Sequence, residues 1–183
     1  GRMQMIATPV KTFAVQNNIK VFEPLKIRGN EEFLNEIKNI APDVIVVVAY
    51  GKILPKELLD IPKIGCINVH GSLLPQYRGA APIQWSVLNG EKYAGITTMF
   101  MDVGMDTGDM ILKQKTEIGE NETTGELWKR LSKMGAELLA KTLEKMEQCA
   151  TKIDETKDIK SEMKELIGAE KQGDNFITAP MLN

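Results

Sequence analysis

Histidine and cysteine are scarce in this sequence of 183 residues, which contains one histidine and two cysteines. Cys66 falls in a predicted buried strand and Cys149 at a predicted helix end. Neither has the Cys or His neighbour that a zinc site needs. A glycine-rich G-x-G-x-x-G motif after a strand is also absent. We therefore expect reduced thiols, no bound metal and no dinucleotide cofactor.

Long apolar runs and a strong excess of one charge are absent as well. No run approaches the roughly 18 to 20 apolar residues of a membrane span, and the first residues do not resemble a secretory signal. The formal net charge is −2, so any contact with nucleic acid must come from a local patch. We expect a cytoplasmic, monomeric protein without membrane contact.

The hydrophobic content of 43% is sufficient for one substantial core. Residues 44–49 form a continuous apolar and β-branched run, the pattern of a central parallel strand covered by helices on both faces. Residues 65–70 are predicted to form a second buried strand of the same character. Asn30 is a plausible N-cap for the helix that follows it. Helices are predicted over 10–17, 31–39, 55–59, 81–88 and 124–148, and further strands over 19–22, 94–101 and 110–117. This alternation predicts an α/β fold with a mostly parallel sheet flanked by helices.

Residues 68–75, N-V-H-G-S-L-L-P, contain the only histidine at the end of a predicted strand. Asn68 and His70 are two residues apart and therefore project to one face of that strand. An amide and an imidazole at this spacing can donate hydrogen bonds to a developing oxyanion. The alternative is a strand-end histidine satisfied by backbone. Open parallel sheets bind ligands outside the carboxyl ends of their strands. Both this motif and the pair Tyr50 and Gly51 lie at such ends.

Two further motifs follow, Q-Y-R-G-A-A-P-I-Q-W at 76–85 and D-V-G-M-D-T-G-D at 102–109. Together with 68–75 they resemble the folate-dependent formyltransferases, and within them the methionyl-tRNA formyltransferases. The resemblance extends from Pro9 to about Gln148 and implies a Rossmann-like catalytic domain over 1–150. That domain usually begins with a strand, a helix and another strand, which this chain is expected to lack. Residues 151–183 are expected to form a linker and an unassigned tail, without the family's small OB-type domain.

The resemblance implies formyl transfer from 10-formyltetrahydrofolate to methionyl-initiator tRNA for translation initiation. Its catalytic residues would be Asn68, His70 and Asp106, with Asp106 beside the imidazole, where a carboxylate favours the protonated ring. By itself, Asp106 can equally be a turn residue. Asp102 is expected to support the loop as well as to face folate. The implied folate-binding residues are Tyr50, Gly51, Ile53, Leu54, Ser72, Leu73, Leu74, Pro75, Met101 and Asp102.

Contacts with tRNA phosphates are assigned to Arg2, Lys11 and Arg78, with Arg78 expected to be exposed on a glycine-flanked loop. A solvated surface arginine is the alternative for Arg78. Ile53 and Leu54 can also be ordinary core residues, and much of 72–75 is expected to be a structural connection. Two other functions are open: a related formyltransferase with a small amine acceptor, and a folate-binding module without turnover.

Overall fold

A computed structural model describes residues 7–173 and 177–178 of the chain. The helices are α1 (Pro9–Gln16), α2 (Glu31–Ile40), α3 (Lys56–Leu59), α4 (Pro82–Leu88), α5 (Thr124–Ala150) and α6 (Ile159–Ile167). The strands are β1 (Val44–Val48), β2 (Gly65–His70), β3 (Gln76–Arg78), β4 (Tyr93–Phe100), β5 (Met110–Glu117) and β6 (Ile177–Thr178). The predicted α/β class is confirmed.

Side-chain caps fix the beginnings of the main helices. The Asn30 side chain accepts a hydrogen bond from the Phe33 amide at 3.1 Å, which confirms the predicted N-cap of α2. Helix α5 begins with a capping box, in which Thr123 and Glu126 each bond the other's backbone amide. These bonds satisfy amides that the first helical turn leaves without a partner.

The main sheet has the strand order β1-β2-β4-β5. Strand β1 runs parallel to β2, whereas β4 is antiparallel to both β2 and β5. The described sheet is therefore mixed rather than mostly parallel. The short connection over 101–109 accounts for the antiparallel pairing of β4 with β5, because consecutive strands joined by so few residues pair antiparallel.

Two expectations about the first part of the chain are wrong within the described residues. Residues 19–22 form no strand, because no described strand pairs with them. Strand β1 was expected to be a central strand covered on both faces. It instead lies at the edge of the described sheet. Val46 and Val48 on β1 are 37% and 57% exposed.

The long helix α5 packs across β4 and supplies the central core. Leu127, Leu131 and Leu138 recur at helical spacing and are buried with Ile96 of β4. Burying one leucine side chain contributes about 1.5 to 3 kcal/mol, so this apolar stripe accounts for the attachment of α5 to the sheet. It confirms the helical periodicity predicted for this segment.

Helix α6 lies in the segment that was expected to form an unassigned tail. It packs on the main sheet and on α5. Met163 and Ile167 are fully buried against Phe100, Ile111 and Met146. After the helix, the backbone of Glu170 exchanges two hydrogen bonds of 2.8 Å with Met110 of β5. The chain beyond residue 150 is thereby fastened to the edge of the main sheet.

Both cysteines are free and buried. Burial raises the pKa of the Cys66 thiol to about 11. Within residues 7–173, no helix is long and apolar enough to cross a membrane.

Replacing Met163 by Ala should lower the free energy of unfolding by about 2 to 5 kcal/mol, because it opens a cavity in a fully packed site. Leu166→Ala is the matched control, since Leu166 is 38% exposed on the same helix and should cost much less. Urea unfolding followed by circular dichroism measures both. Equal effects of the two changes would contradict the packing of α6 on the core.

Candidate active site

Asn68 and His70 point to the same side of β2, as their spacing predicts. Both approach the carboxylate of Asp106, which lies on the connection between β4 and β5. The Asn68 side-chain amide donates to Asp106 Oδ1 at 3.3 Å. Nδ1 of His70 lies 3.6 Å from Asp106 Oδ2. The structure thus brings the three predicted catalytic residues together.

Backbone groups of a short segment beside them hold two of these side chains. Nε2 of the buried His70 is 2.8 Å from the carbonyl oxygen of Tyr77. The amide of Gly79 donates to Asp106 Oδ2 at 2.9 Å. Hydrogen bonds to a carboxylate are stronger than those between neutral groups, so the Gly79 amide fixes the orientation of Asp106.

The bond to Tyr77 determines which nitrogen of His70 carries the proton in the neutral ring. A carbonyl oxygen only accepts hydrogen bonds, so Nε2 must be the donor. In the neutral ring Nδ1 then has a free lone pair, and this atom faces the Asp106 carboxylate. Nδ1 is therefore the ring nitrogen that keeps a lone pair beside the cleft.

The segment that holds the histidine is itself fixed in the interior. Tyr77 is buried with φ of 56°, in the left-handed region that non-glycine residues seldom adopt. Its hydroxyl donates to Glu91 and accepts from Asn89. Burial raises the pKa of the Tyr77 hydroxyl, and the hydrogen bond to Glu91 adds to the increase.

The loop that carries Asp106 is tightly folded. Asp106 has φ of 52°, so its backbone also occupies the left-handed region. Asp102 accepts hydrogen bonds from the Gly104 amide at 2.9 Å and the Thr107 hydroxyl at 2.6 Å, which supports the loop as expected. A Cβ atom on Gly108 would lie 1.8 Å from the carbonyl oxygen of Phe100. Only glycine fits this approach without a shift of backbone.

A cleft of about 720 Å³ opens beside the three side chains. This volume is in the usual range for small-molecule sites. One wall includes the predicted folate residues Tyr50, Gly51, Ile53, Leu54, Met101 and Asp102. The geometry therefore places six of the ten predicted folate contacts around one opening.

Helix α5 provides a further wall that sequence reasoning missed. It consists of Trp128, Leu131, Ser132, Gly135, Ala136 and Leu139. The signal in the sequence was the small residues Ser132, Gly135 and Ala136 at helical spacing, which leave room beside the helix.

The other four predicted folate residues, Ser72, Leu73, Leu74 and Pro75, are not among those that line the cleft. They form the connection from β2 to β3. The Ser72 hydroxyl donates to the Gln76 carbonyl, and the Thr97 hydroxyl of β4 donates to the Ser72 carbonyl at 2.7 Å. Leu74 packs with Met99 and Met110. These contacts fix the connection from β2 to β3, in agreement with the structural role expected for much of 72–75, and a folate contact at these four residues stays a prediction.

Of the three predicted phosphate contacts, the structure describes two, and these lie on different elements. Arg2 lies outside the described residues. Lys11 lies on α1, pairs with Glu23 and does not line the cleft. Arg78 was expected to be exposed, but it is only 7% exposed. Its Nε donates to the Gln172 side-chain oxygen at 2.7 Å, so the expectation of a surface arginine is wrong.

No group of three or more His, Cys, Asp or Glu side chains within the described ranges is arranged to hold a metal ion.

Comparison with known proteins identifies the formyl transferase family, whose model matches residues 1–143. A curated relative from Acetivibrio thermocellus, named methionyl-tRNA formyltransferase, is 58% identical over 139 residues. The match covers 76% of this chain and 44% of that relative. The chain therefore spans about half the length of the curated relatives it matches.

Solved structures of formyltransferases share this fold. The phosphoribosylglycinamide formyltransferase from Bacillus halodurans has a TM-score of 0.71 and 25% identity, with 78% of this chain and 76% of that chain covered. A formyltransferase from Anoxybacillus kamchatkensis, solved with tetrahydrofolate and a formamido sugar nucleotide, has a TM-score of 0.64 and 22% identity. That match covers 93% of this chain and 79% of the other. At that identity the likeness concerns the fold alone.

Gly108→Ala should lower the free energy of unfolding by about 1 to 3 kcal/mol, because the new methyl group must displace the backbone of Phe100 or the loop. Gly125→Ala is the control: a Cβ there meets nothing within 4 Å, and alanine favours the helix more than glycine does. Thermal unfolding of both variants measures the difference. A Gly108→Ala protein as stable as the control would contradict the close approach.

Proposed function

Because the chain belongs to the formyl transferase family, we propose that it transfers the formyl group of 10-formyltetrahydrofolate to the amino group of methionyl-initiator tRNA. The observation that carries this proposal is the convergence of Asn68, His70 and Asp106 at one side of the cleft. These residues match the chemistry that acyl transfer to an amine requires.

Asn68 is proposed to stabilise the charge that develops on the formyl oxygen. One hydrogen of its side-chain amide is directed at Asp106, and the other is available to an oxygen in the cleft. A preorganised donor of this kind contributes about 3 to 4 kcal/mol to the transition state. Its bond to Asp106 keeps the amide oriented before the substrate arrives.

His70 and Asp106 are proposed to manage the proton of the attacking amine. As the nitrogen forms its bond to the formyl carbon, it must lose a proton. The bond from that carbon to the folate nitrogen breaks, and the nitrogen of the released tetrahydrofolate takes up a proton. The lone pair on Nδ1 of His70 accepts that proton, and the Asp106 carboxylate at 3.6 Å compensates the positive charge. The bond from Nε2 to the Tyr77 carbonyl keeps the ring in place throughout.

The cleft suits a flat, partly apolar group of the size of a pterin. Leu54 is buried in one wall, while Ile53, Val103 and Met105 expose apolar surface at the rim. Backbone groups of Tyr50, Gly51 and Met101 are available to specify polar edges. Bound there, formyltetrahydrofolate supplies the formyl carbon. Residues of this chain orient it and exclude water from the reacting end.

The acceptor is inferred from the curated relatives that share 53 to 60% identity with this chain. Lys11 and the undescribed Arg2 remain candidates for phosphate contacts. Binding of tRNA through such contacts should weaken as salt increases. A net charge of −2 means that these contacts would be local.

A second candidate is transfer to a small amine, and the likeness to the phosphoribosylglycinamide enzyme favours it over unrelated activities. A folate-binding module without turnover is the third. These three functions predict different formylated products when the donor is offered with each acceptor.

We expect the complete gene product to form labelled formyl-methionyl-tRNA when the donor is offered with methionyl initiator tRNA. Asn68→Ala should lower kcat by about 100- to 1,000-fold, because it removes the donor to the developing oxyanion. His70→Ala should also abolish most turnover while folate binding is retained. Asn39→Ala, at an exposed position, is the matched control and should not change the rate.

Parallel reactions with glycinamide ribonucleotide and an amino-sugar nucleotide separate the alternatives. Transfer to a small amine alone would contradict the proposed acceptor and leave the catalytic residues in place. Folate binding without transfer to any acceptor would favour the non-catalytic module.

A further inference from the structure

Gln172 lies outside the residues that match the family model and yet contacts the loop that carries Asp106. Its side-chain nitrogen donates to the carbonyl oxygens of Asp106 and Gly108, both at 2.8 Å. Its side-chain oxygen accepts from Nε of Arg78 at 2.7 Å. The amide therefore bridges the catalytic loop and β3.

The chemistry of the three partners permits only one orientation of this amide. Carbonyl oxygens accept and a guanidinium donates, so the nitrogen must face the loop and the oxygen must face Arg78. Both amide hydrogens are used on the loop. A glutamate at this position would keep the acceptor for Arg78 and lose both donors.

These contacts close a ring that contains the catalytic carboxylate. The Asp106 carboxylate is held by the Gly79 amide, and Gly79 follows Arg78 in the chain. Arg78 holds the oxygen of Gln172, whose nitrogen holds the carbonyl of Asp106. The side chain of Asp106 is thus restrained by Gly79, and its backbone is restrained by Gln172, which Arg78 holds in turn.

Gln172 is firmly placed because the chain before it is anchored. Ile167 is buried in the main core, and Glu170 pairs with Met110 through two backbone bonds. The backbone of β6 then pairs with β3 at Gln76 and Arg78. Position 172 is therefore set by packing on both sides of it and not by the loop alone.

We propose that Gln172 is a positioning residue that holds the left-handed backbone of Asp106 and so presents its carboxylate to His70 and Asn68. The proposal deepens the proposed function and rests on it for its kinetic consequence. It assigns a role in the active site to the segment after α6. Gln172 itself touches neither reactant.

The test compares three variants of the complete gene product. Gln172→Glu keeps the acceptor for Arg78 and removes the two donors to the loop, so the tail stays attached. Gln172→Ala removes all three bonds. Lys171→Ala changes the exposed neighbour and is the matched control. If Gln172→Ala does not fold, Gln172→Glu alone decides the result.

The first readout needs no substrate, because the imidazole signals of His70 are assigned by their loss in a His70→Ala protein. Nitrogen-15 NMR at one fixed pH reports the environment of its Nδ1 atom, and the amide signal of Gly79 reports the bond to Asp106. Both should shift in the two Gln172 variants and stay unchanged in Lys171→Ala. A folded Gln172→Glu protein with unchanged His70 and Gly79 signals would overturn the proposal.

The second readout is kinetic. Gln172→Glu should lower kcat by about 10- to 100-fold, since small displacements of a catalytic group have effects of this size, and should change the KM for the folate donor much less. In an Asp106→Ala background it should cause no further loss, because residues that act through one another are not additive. Equal losses in both backgrounds would overturn a role through Asp106. If the protein transfers formyl to no acceptor, the proposed function fails, and NMR alone decides the role of Gln172.

Discussion

The hydrogen bonds made by the consecutive residues Tyr77, Arg78 and Gly79 are the constraint on which the candidate site depends. The Tyr77 carbonyl fixes Nε2 of His70, and the Gly79 amide fixes the carboxylate of Asp106. Arg78 between them holds Gln172. Tyr77 and Arg78 belong to β3, and Gly79 follows them directly. Because the three residues are consecutive, the relative positions of His70 and Asp106 are set together.

The rest of the fold keeps that segment and the catalytic loop in register. The connection from β2 to β3 is tied to β4 through the hydroxyl of Thr97, and Gly108 packs against the backbone where β4 ends. Tyr77 and Asp106 both adopt left-handed backbone, which is unfavourable for residues other than glycine. Surrounding contacts must offset that cost, and they converge on the place where the chemistry is proposed.

The sequence predicted most of the elements because apolar periodicity and caps are local signals. It also grouped Asn68, His70 and Asp106, through the family resemblance, since those side chains are part of long motifs. Periodicity failed where the outcome depends on neighbours: among the described residues, 19–22 have no strand to pair with, and β1 lies at an edge of the described sheet. Arg78 was wrongly expected to be exposed and Gln172 was assigned no role, because their contacts depend on bonds between segments far apart in the chain. The contact of His70 with the Tyr77 carbonyl could not be predicted either, because every residue has a backbone carbonyl.

The claim that the Tyr77 carbonyl selects the proton position on His70 is tested most directly by nitrogen-15 NMR of the imidazole. The spectrum should be recorded over a series of pH values, and the neutral form of the ring should be compared with the account. The account predicts a protonated Nε2 and an unprotonated Nδ1 facing Asp106. A neutral ring protonated at Nδ1 would contradict it, because Nε2 would then have no hydrogen to donate to Tyr77 and Nδ1 no lone pair for the amine proton.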